Sequence, residues 1–224
     1  MEIIRRAMDE CSSPFIGFSA GKDSVVTADL VWRVSPDVPA LMLTGGETHL
    51  LYPDAADVAA RVARDHPLTV VHVDHVFSAS WADAHFWEQY ESFVGEWETY
   101  LWARGHDAAI IGLRAEESAQ RRVDLRTRGP IHRYVDGGRY RSGGLRVCPI
   151  HDWSWRDVWA YIVSRDLPYL SAYDSRGPDG RTHLRLGRSA MRMGQLQELR
   201  RENPAGYAAI LARFPDIEEI AQTC

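Results

Sequence analysis

Short, continuously apolar runs alternate with helical patterns through the first half of the chain. SPFIGFS (13–19), VPALMLT (38–44), LTVVHVD (68–74) and DAAIIGL (107–113) read as strands. Helices are expected after them at about 22–33, 53–64, 80–104 and 115–122. A fifth strand-like run, VCPI (147–150), leads to Asp152-Trp153-Ser154-Trp155, where Ser154 suits the N-cap of a helix over 155–165. SRGPDGR (175–181) reads as a loop, and 189–202 and 204–213 as C-terminal helices. Strand runs that are apolar throughout, without strict alternation, are those buried on both faces. The expected architecture is therefore α/β: a parallel five-stranded sheet with helices on both faces and a helical C-terminal extension. No internal repeat or low-complexity tract interrupts it.

In parallel sheets ligands bind beyond the carboxyl ends of the strands, so chemistry is expected at 19–24, 44–52, 74–79 and 113–146. At 224 residues and 45% hydrophobic, the chain can bury one large core. No window approaches twenty apolar residues and MEIIRRAMDECSS lacks a signal-peptide core, so a soluble, cytoplasmic protein is expected, with no membrane partner. Cys11, Cys148 and Cys224 form no CxxC, which leaves neither a disulfide framework nor a four-cysteine cluster site within one chain.

Net charge is −5, yet 114–146 holds nine arginines against four acids, a segment suited to nucleotide phosphates or a nucleic-acid backbone, or else a solvated loop. The chain has one lysine, Lys22, and its other 25 basic residues are arginine. That lysine stands in Phe18-Ser19-Ala20-Gly21-Lys22-Asp23-Ser24, between the first strand and the first helix. This is neither GxxxxGK followed by Ser or Thr nor GxGxxG. Ser19, Ser24 and the backbone around Gly21 can surround phosphates, small residues at 20 and 21 permit close approach, and Lys22 supplies a compact cation.

Ser-x-Gly-Lys-Asp-Ser resembles the PP-loop of the adenine nucleotide α-hydrolases (HUP class), which include the N-type ATP pyrophosphatases and the phosphoadenosine phosphosulfate (PAPS) reductases. Gly112-Leu113-Arg114-Ala115-Glu116-Glu117-Ser118 through Arg122 is similar to the family's G-x-R-x-x-E-S-x-x-R segment. Arg146 through Ile162 is similar to its R-x-x-P-x-x-x-W-x-x-x-D-V-W-x-Y-I. The resemblance implies a nucleotide-binding domain over 1–165 and a C-terminal extension over 166–224. It also implies nucleotide binding by Ser19, Ala20, Gly21, Lys22, Asp23, Ser24, Thr44, Gly45, Gly112 and Glu117. Catalytic roles fall to Lys22, Arg114, Arg121 and Arg122, with Glu117 ordering the arginines and no metal ligand assigned. Trp153 and Trp159 read as core, and Asp152 and Asp157 as helix-capping groups.

Two branches of the family differ in chemistry. ATP pyrophosphatases keep the lysine and aspartate of the loop, which favours ATP with Mg²⁺, cleavage between the α and β phosphates, and adenylylation of an acceptor. The acceptor implied is nucleic acid or protein, in sulfur-related or nucleic-acid-modification chemistry, and a homodimer is the candidate assembly. PAPS and APS reductases instead use a C-terminal cysteine, here Cys224, although the tail EIAQTC lacks their Glu-Cys-Gly-x-His pattern. A non-catalytic nucleotide-binding subunit, as in an ATP-sulfurylase-like complex, is the third alternative; Trp81, Trp87, Trp97 and Trp102 suit either an interface or a core. A zinc site from His132, Cys148 and His151 lacks an evident fourth ligand.

Overall fold

Strand β1 (Pro14–Phe18) lies at the centre of the sheet, and its residues show why the run is apolar on both sides. Ile16 and Phe18 join a large core with Ala40, Met42, Ala108 and Ile110, whereas Phe15 faces the other way and packs with Leu41 and Ala109. The computed structural model describes residues 1–45, 51–73, 105–133, 144–180, 194–213 and 215–223.

The remaining strands are β2 (Ala40–Gly45), β3 (Leu68–Val73), β4 (Ala108–Ile110), β5 (Ile131–Arg133) and β6 (Leu145–Val147), in the order β3-β2-β1-β4-β6-β5. All neighbouring pairs are parallel except β5 with β6, which is antiparallel. The α/β class, the parallel core of the sheet and the C-terminal helices agree with expectation. The sheet has six strands, not five: β5 is three residues long, inside the arginine-rich segment, and its half-exposed pattern gives no apolar run to read. The strand expected at 147–150 lies at Leu145–Val147 instead, because Cys148, Pro149 and Ile150 leave the sheet in a turn.

Helix α1 (Glu2–Glu10), not foreseen, buries Ile4 and Ala7 one turn apart. Helix α2 (Lys22–Trp32) follows the loop and buries nine of its eleven residues, so it shows almost no amphipathic signal. Helix α3 (Ala55–Ala63) connects β2 to β3 within the described residues. The helix expected at 80–104 lies outside those residues. In place of one helix at 115–122 there is a 3₁₀ turn, Ala115–Glu117, then α4 (Ala119–Arg128), whose N-cap Ser118 accepts from the Arg121 N–H at 3.1 Å.

Helix α5 (Trp155–Arg165) starts as expected at Ser154, with a reciprocal cap: Ser154 Oγ accepts from the Asp157 N–H, and Asp157 Oδ2 accepts from the Ser154 N–H. Asp157 is thus a capping group, while Asp152 is exposed and takes no part in the cap. Trp153 and Trp159 pack against the core, as read from the sequence. The Tyr161 hydroxyl donates to Asp29 Oδ2 at 2.6 Å and ties α5 to α2.

Residues 175–181 are only in part a loop, since α6 (Ala172–Arg176) ends inside them. Helices α7 (Gln195–Glu202), α8 (Pro204–Arg213) and α9 (Ile217–Thr223) complete the described chain. Leu196, Leu199, Tyr207, Ile210 and Ile217 belong to the same core as the central strands.

Candidate active site

The loop 19–24 turns sharply between β1 and α2. Ala20 has φ 56°, a left-handed conformation that glycine adopts more readily, and its methyl group is fully buried. Gly21 caps α2, accepting the Ser24 and Val25 N–H groups on its carbonyl, and the Ser24 hydroxyl also donates to it at 2.8 Å. Ser24 Oγ in turn accepts from the Ser19 N–H at 3.1 Å and from the Ser19 hydroxyl at 3.2 Å. The two serines therefore brace each other across the mouth of the loop.

Gly112 follows β4 and packs directly on the start of α2. A β-carbon there would lie 2.5 Å from the Asp23 carbonyl oxygen, so no larger residue fits without moving backbone. Above this contact opens a pocket of about 340 Å³ lined by Ser19, Gly21, Lys22, Asp23 and Ser24 of the loop, by Gly112 and Leu113, and by Glu117, Arg121 and Tyr173. Its floor is the N-terminus of α2, where the helix dipole favours an anion.

Lys22 is buried. Its ammonium donates to the Gly180 carbonyl at 2.8 Å, lies 3.4 Å from Asp23 Oδ2, and sits 4.8 Å from the centre of the Tyr173 ring. Burial pulls its pKa below the ordinary lysine value, with Asp23 opposing that shift and Arg114 adding to it.

Arg114 lies behind the loop, nearly fully buried. Its Nε donates to Asp23 Oδ1 at 2.6 Å and its Nη1 to Glu116 Oε2 at 2.7 Å and to the Trp153 carbonyl at 3.3 Å. Glu116 Oε2 also accepts from the Trp155 N–H, and Glu117 Oε2 from the Arg114 N–H. Burial works against the Arg114 charge, but Asp23, Glu117 and Glu116 more than offset it and raise its pKa. All three motifs read from the sequence meet at this one guanidinium.

Arg121 pairs with Glu117 and lines the pocket, whereas Arg122, the next residue on α4, is exposed and outside the lining. Thr44 and Gly45 end β2, the strand beside β1, and lie outside the lining. Tyr173 and Gly180 were not legible as site residues: Tyr173 is 151 positions from the lysine whose N–H it accepts at 3.2 Å. His132, Cys148 and His151 form no metal-binding group among the described residues.

The pocket suits the phosphate or sulfate end of a nucleotide, with Lys22, Arg121 and the α2 N-terminus as donors. Its carboxylates do not fit a protein-held Mg²⁺. Both oxygens of Asp23 already face a cation, and Glu117 is engaged by Arg114 and Arg121.

Residues 13–191 match the family model described as phosphoadenosine phosphosulfate reductase domain. The chain belongs to that family. Adenine nucleotide binding is a property of the family, and the match takes in the loop, the 112–122 segment and α5. The adenosine 5′-phosphosulfate reductase of Geobacillus kaustophilus (strain HTA426) is 30% identical over 173 residues, 71% of this chain and 67% of that protein. The phosphoadenosine 5′-phosphosulfate reductase of Xylella fastidiosa (strain 9a5c) is 27% identical over 168 residues, 70% of this chain and 65% of that protein. Among solved structures, the U34-tRNA thiolase NcsA from Methanococcus maripaludis aligns with a TM-score of 0.51 at 14% identity, covering 100% of this chain and 80% of that one. That likeness shows the fold alone. The relatives favour the sulfonucleotide branch of the family over the ATP-cleaving reading. No helix among the described residues is long and apolar enough to cross a membrane.

Proposed function

We propose that the protein is a sulfonucleotide-transforming enzyme, which binds adenosine 5′-phosphosulfate or its 3′-phosphorylated form with the anhydride end on the loop 19–24. The observation that carries this reading is that Lys22 and Arg121 line one pocket at the N-terminus of α2, in a family whose similar members bear reductase names. The relatives named for the two sulfonucleotides leave the choice between them to experiment.

In this reading a cysteine thiolate attacks the sulfate sulfur. A bond forms between the two sulfur atoms, the bond from the sulfate sulfur to the bridging oxygen breaks, and the nucleotide leaves with that electron pair. An external dithiol then releases sulfite, is itself oxidised to a disulfide and returns the cysteine to its thiol. Lys22 and Arg121 offset the charge that gathers on the leaving phosphate. The thiol is assigned to Cys224, which lies outside the described residues. Cys148 is buried with its pKa pushed up to about 12, and Cys11 precedes the amino end of β1, the end away from the loop 19–24, with its pKa raised to about 11, both chiefly by burial.

A second reading is favoured by one feature, the lysine beside the aspartate in Ser19-x-Gly21-Lys22-Asp23-Ser24. A lysine there suits β and γ phosphates held as a unit, so that attack on the α phosphate expels pyrophosphate and adenylylates a nucleic-acid or protein acceptor. Incubation with each sulfonucleotide and a dithiol, with sulfite as readout, is set beside incubation with ATP, with pyrophosphate as readout. Sulfite formation that Lys22→Ala and Cys224→Ser abolish is the expected result. Pyrophosphate release from ATP, without sulfite from either sulfonucleotide, overturns the first reading in favour of the second. Absence of both products, with no calorimetric binding of any of the three nucleotides, overturns both.

A further inference from the structure

Lys22 has three ammonium protons, and the fold commits its surroundings closely. The Gly180 carbonyl accepts one proton at 2.8 Å, Asp23 Oδ2 lies at 3.4 Å, and the Tyr173 ring closes a further side at 4.8 Å from its centre. The same tyrosine accepts from the Lys22 backbone N–H through its hydroxyl at 3.2 Å. One residue thus touches the lysine at both ends, from an element 151 positions away.

Tyr173 is itself firmly held. The edge of Trp159 packs on its ring at 83°, and Trp159 Nε1 donates to the Pro178 carbonyl at 2.6 Å. One turn on, Arg176 is buried between the Tyr52 hydroxyl, Glu198 and Glu202, which fastens α6 to α7. Residues 177–180 then form a tight turn in which a β-carbon on Gly180 would lie 2.9 Å from the Gly177 carbonyl oxygen. That turn sets the Gly180 carbonyl against the ammonium.

We propose that Tyr173 is a positioning residue of the anion site, its ring and hydroxyl fixing Lys22 so that a donor of the ammonium is presented to a bound phosphate or sulfate group. The inference rests on the reading of residues 19–24 as that site. A cation held against an aromatic face keeps its charge at lower solvation cost, and its side chain is ordered before the ligand arrives. The groups facing the ammonium are Asp23 of α2, Arg114 at the N-cap of the 3₁₀ turn, Glu117 within that turn, and Tyr173 of α6.

Lys22 is the chain's one lysine, so ¹³C-lysine labelling yields a single spin system. In the wild-type protein its ε-protons, over the ring face, are expected upfield of the position of a solvated lysine. The shift is lost in Tyr173→Met and kept in Tyr173→Phe. Pyrophosphate, titrated by calorimetry, is expected to bind Tyr173→Met about tenfold more weakly, between the values for an exposed and a desolvated cation–π contact, with Tyr173→Phe recovering most of the loss. Pyrophosphate affinity falls at high pH as the ammonium deprotonates, and in Tyr173→Met this fall moves to lower pH, which a purely structural role would not produce. A wild-type lysine signal at the solvated position overturns the proposal even where the methionine variant does not fold. So does wild-type affinity in Tyr173→Met when Lys22→Ala has lost binding. If Lys22→Ala binds pyrophosphate like the wild type, the anion-site reading itself falls.

Discussion

Arg114 and Asp23, 91 residues apart, are joined by a 2.6 Å hydrogen bond from Nε to Oδ1 beneath the phosphate-type loop. The pair fixes the aspartate beside Lys22 from behind. Loss of one partner of a largely buried ion pair leaves the other charge uncompensated. Arg114→Met is therefore expected to destabilise the protein by about 3 kcal/mol, at the lower end for such pairs because Asp23 keeps some solvent. Asp23→Asn in the same chain should recover part of it. Urea unfolding of the two single variants and the double variant checks this, and additive losses would mean that the two side chains do not act together.

Gly112 offers a test of how closely strand and loop must approach. A methyl group there meets the Asp23 carbonyl oxygen at 2.5 Å and its carbon at 2.7 Å, both rigid backbone. Gly112→Ala is expected to lose about 2 kcal/mol of stability, the usual cost of overpacking, and to weaken anion binding by shifting the start of α2. Calorimetry with pyrophosphate and urea unfolding on the same variant measure both effects. An alanine variant with wild-type values would show that the segment after β4 can retreat from the loop.

Ala20 occupies a left-handed conformation, φ 56°, which glycine adopts without a Cβ penalty. Ala20→Gly relieves about 1–2 kcal/mol of backbone strain but loses a buried methyl group worth about 0.8 kcal/mol and adds freedom to the unfolded chain worth about 0.4–1 kcal/mol. These effects offset one another, so the change in stability is expected to stay under about 1 kcal/mol. Ala20→Val, branched at Cβ, should instead be strongly destabilising. Thermal or urea unfolding of the pair decides it, and a valine variant as stable as wild type would contradict the left-handed geometry.

Thiol reactivity separates the three cysteines. Burial holds Cys148 at a pKa of about 12 and Cys11 at about 11, so at pH 8 either is a thiolate about two orders of magnitude or more less often than a free cysteine. Iodoacetamide on the native protein at pH 8 is expected to modify Cys224 first, as read by mass spectrometry of peptides. As pH rises toward 11, Cys11 gains thiolate and should begin to react. Rapid modification of Cys148 in the folded protein would remove the argument that assigns the nucleophile to Cys224.

The strand runs at 13–19 and 38–44, the loop Ser19 to Ser24 and the cap at Ser154 were legible because each depends on neighbours in sequence. Apolar runs, small residues before a helix and a Ser-x-x-Asp cap act over a few positions. Glu117 and Arg121 were legible only through the resemblance of 112–122 to the family's G-x-R-x-x-E-S-x-x-R segment. Strand β5 and helix α1 were missed for different reasons: three half-exposed residues carry no period, whereas Glu2–Glu10 is clearly amphipathic and its mixture of charged and apolar residues was weighed only against a signal-peptide core.

By itself, the sequence determined the class of fold, the position of the loop 19–24 at the end of the first strand, and the family. Tertiary structure alone decided that Arg114 braces the loop instead of lining the pocket, that Arg121 enters the lining while Arg122 stays outside, and that Tyr173 and Gly180 reach Lys22. The reason is physical. A local motif is written in the spacing of adjacent residues, but which groups surround a buried charge depends on how distant segments pack, and no periodicity along the chain encodes that meeting.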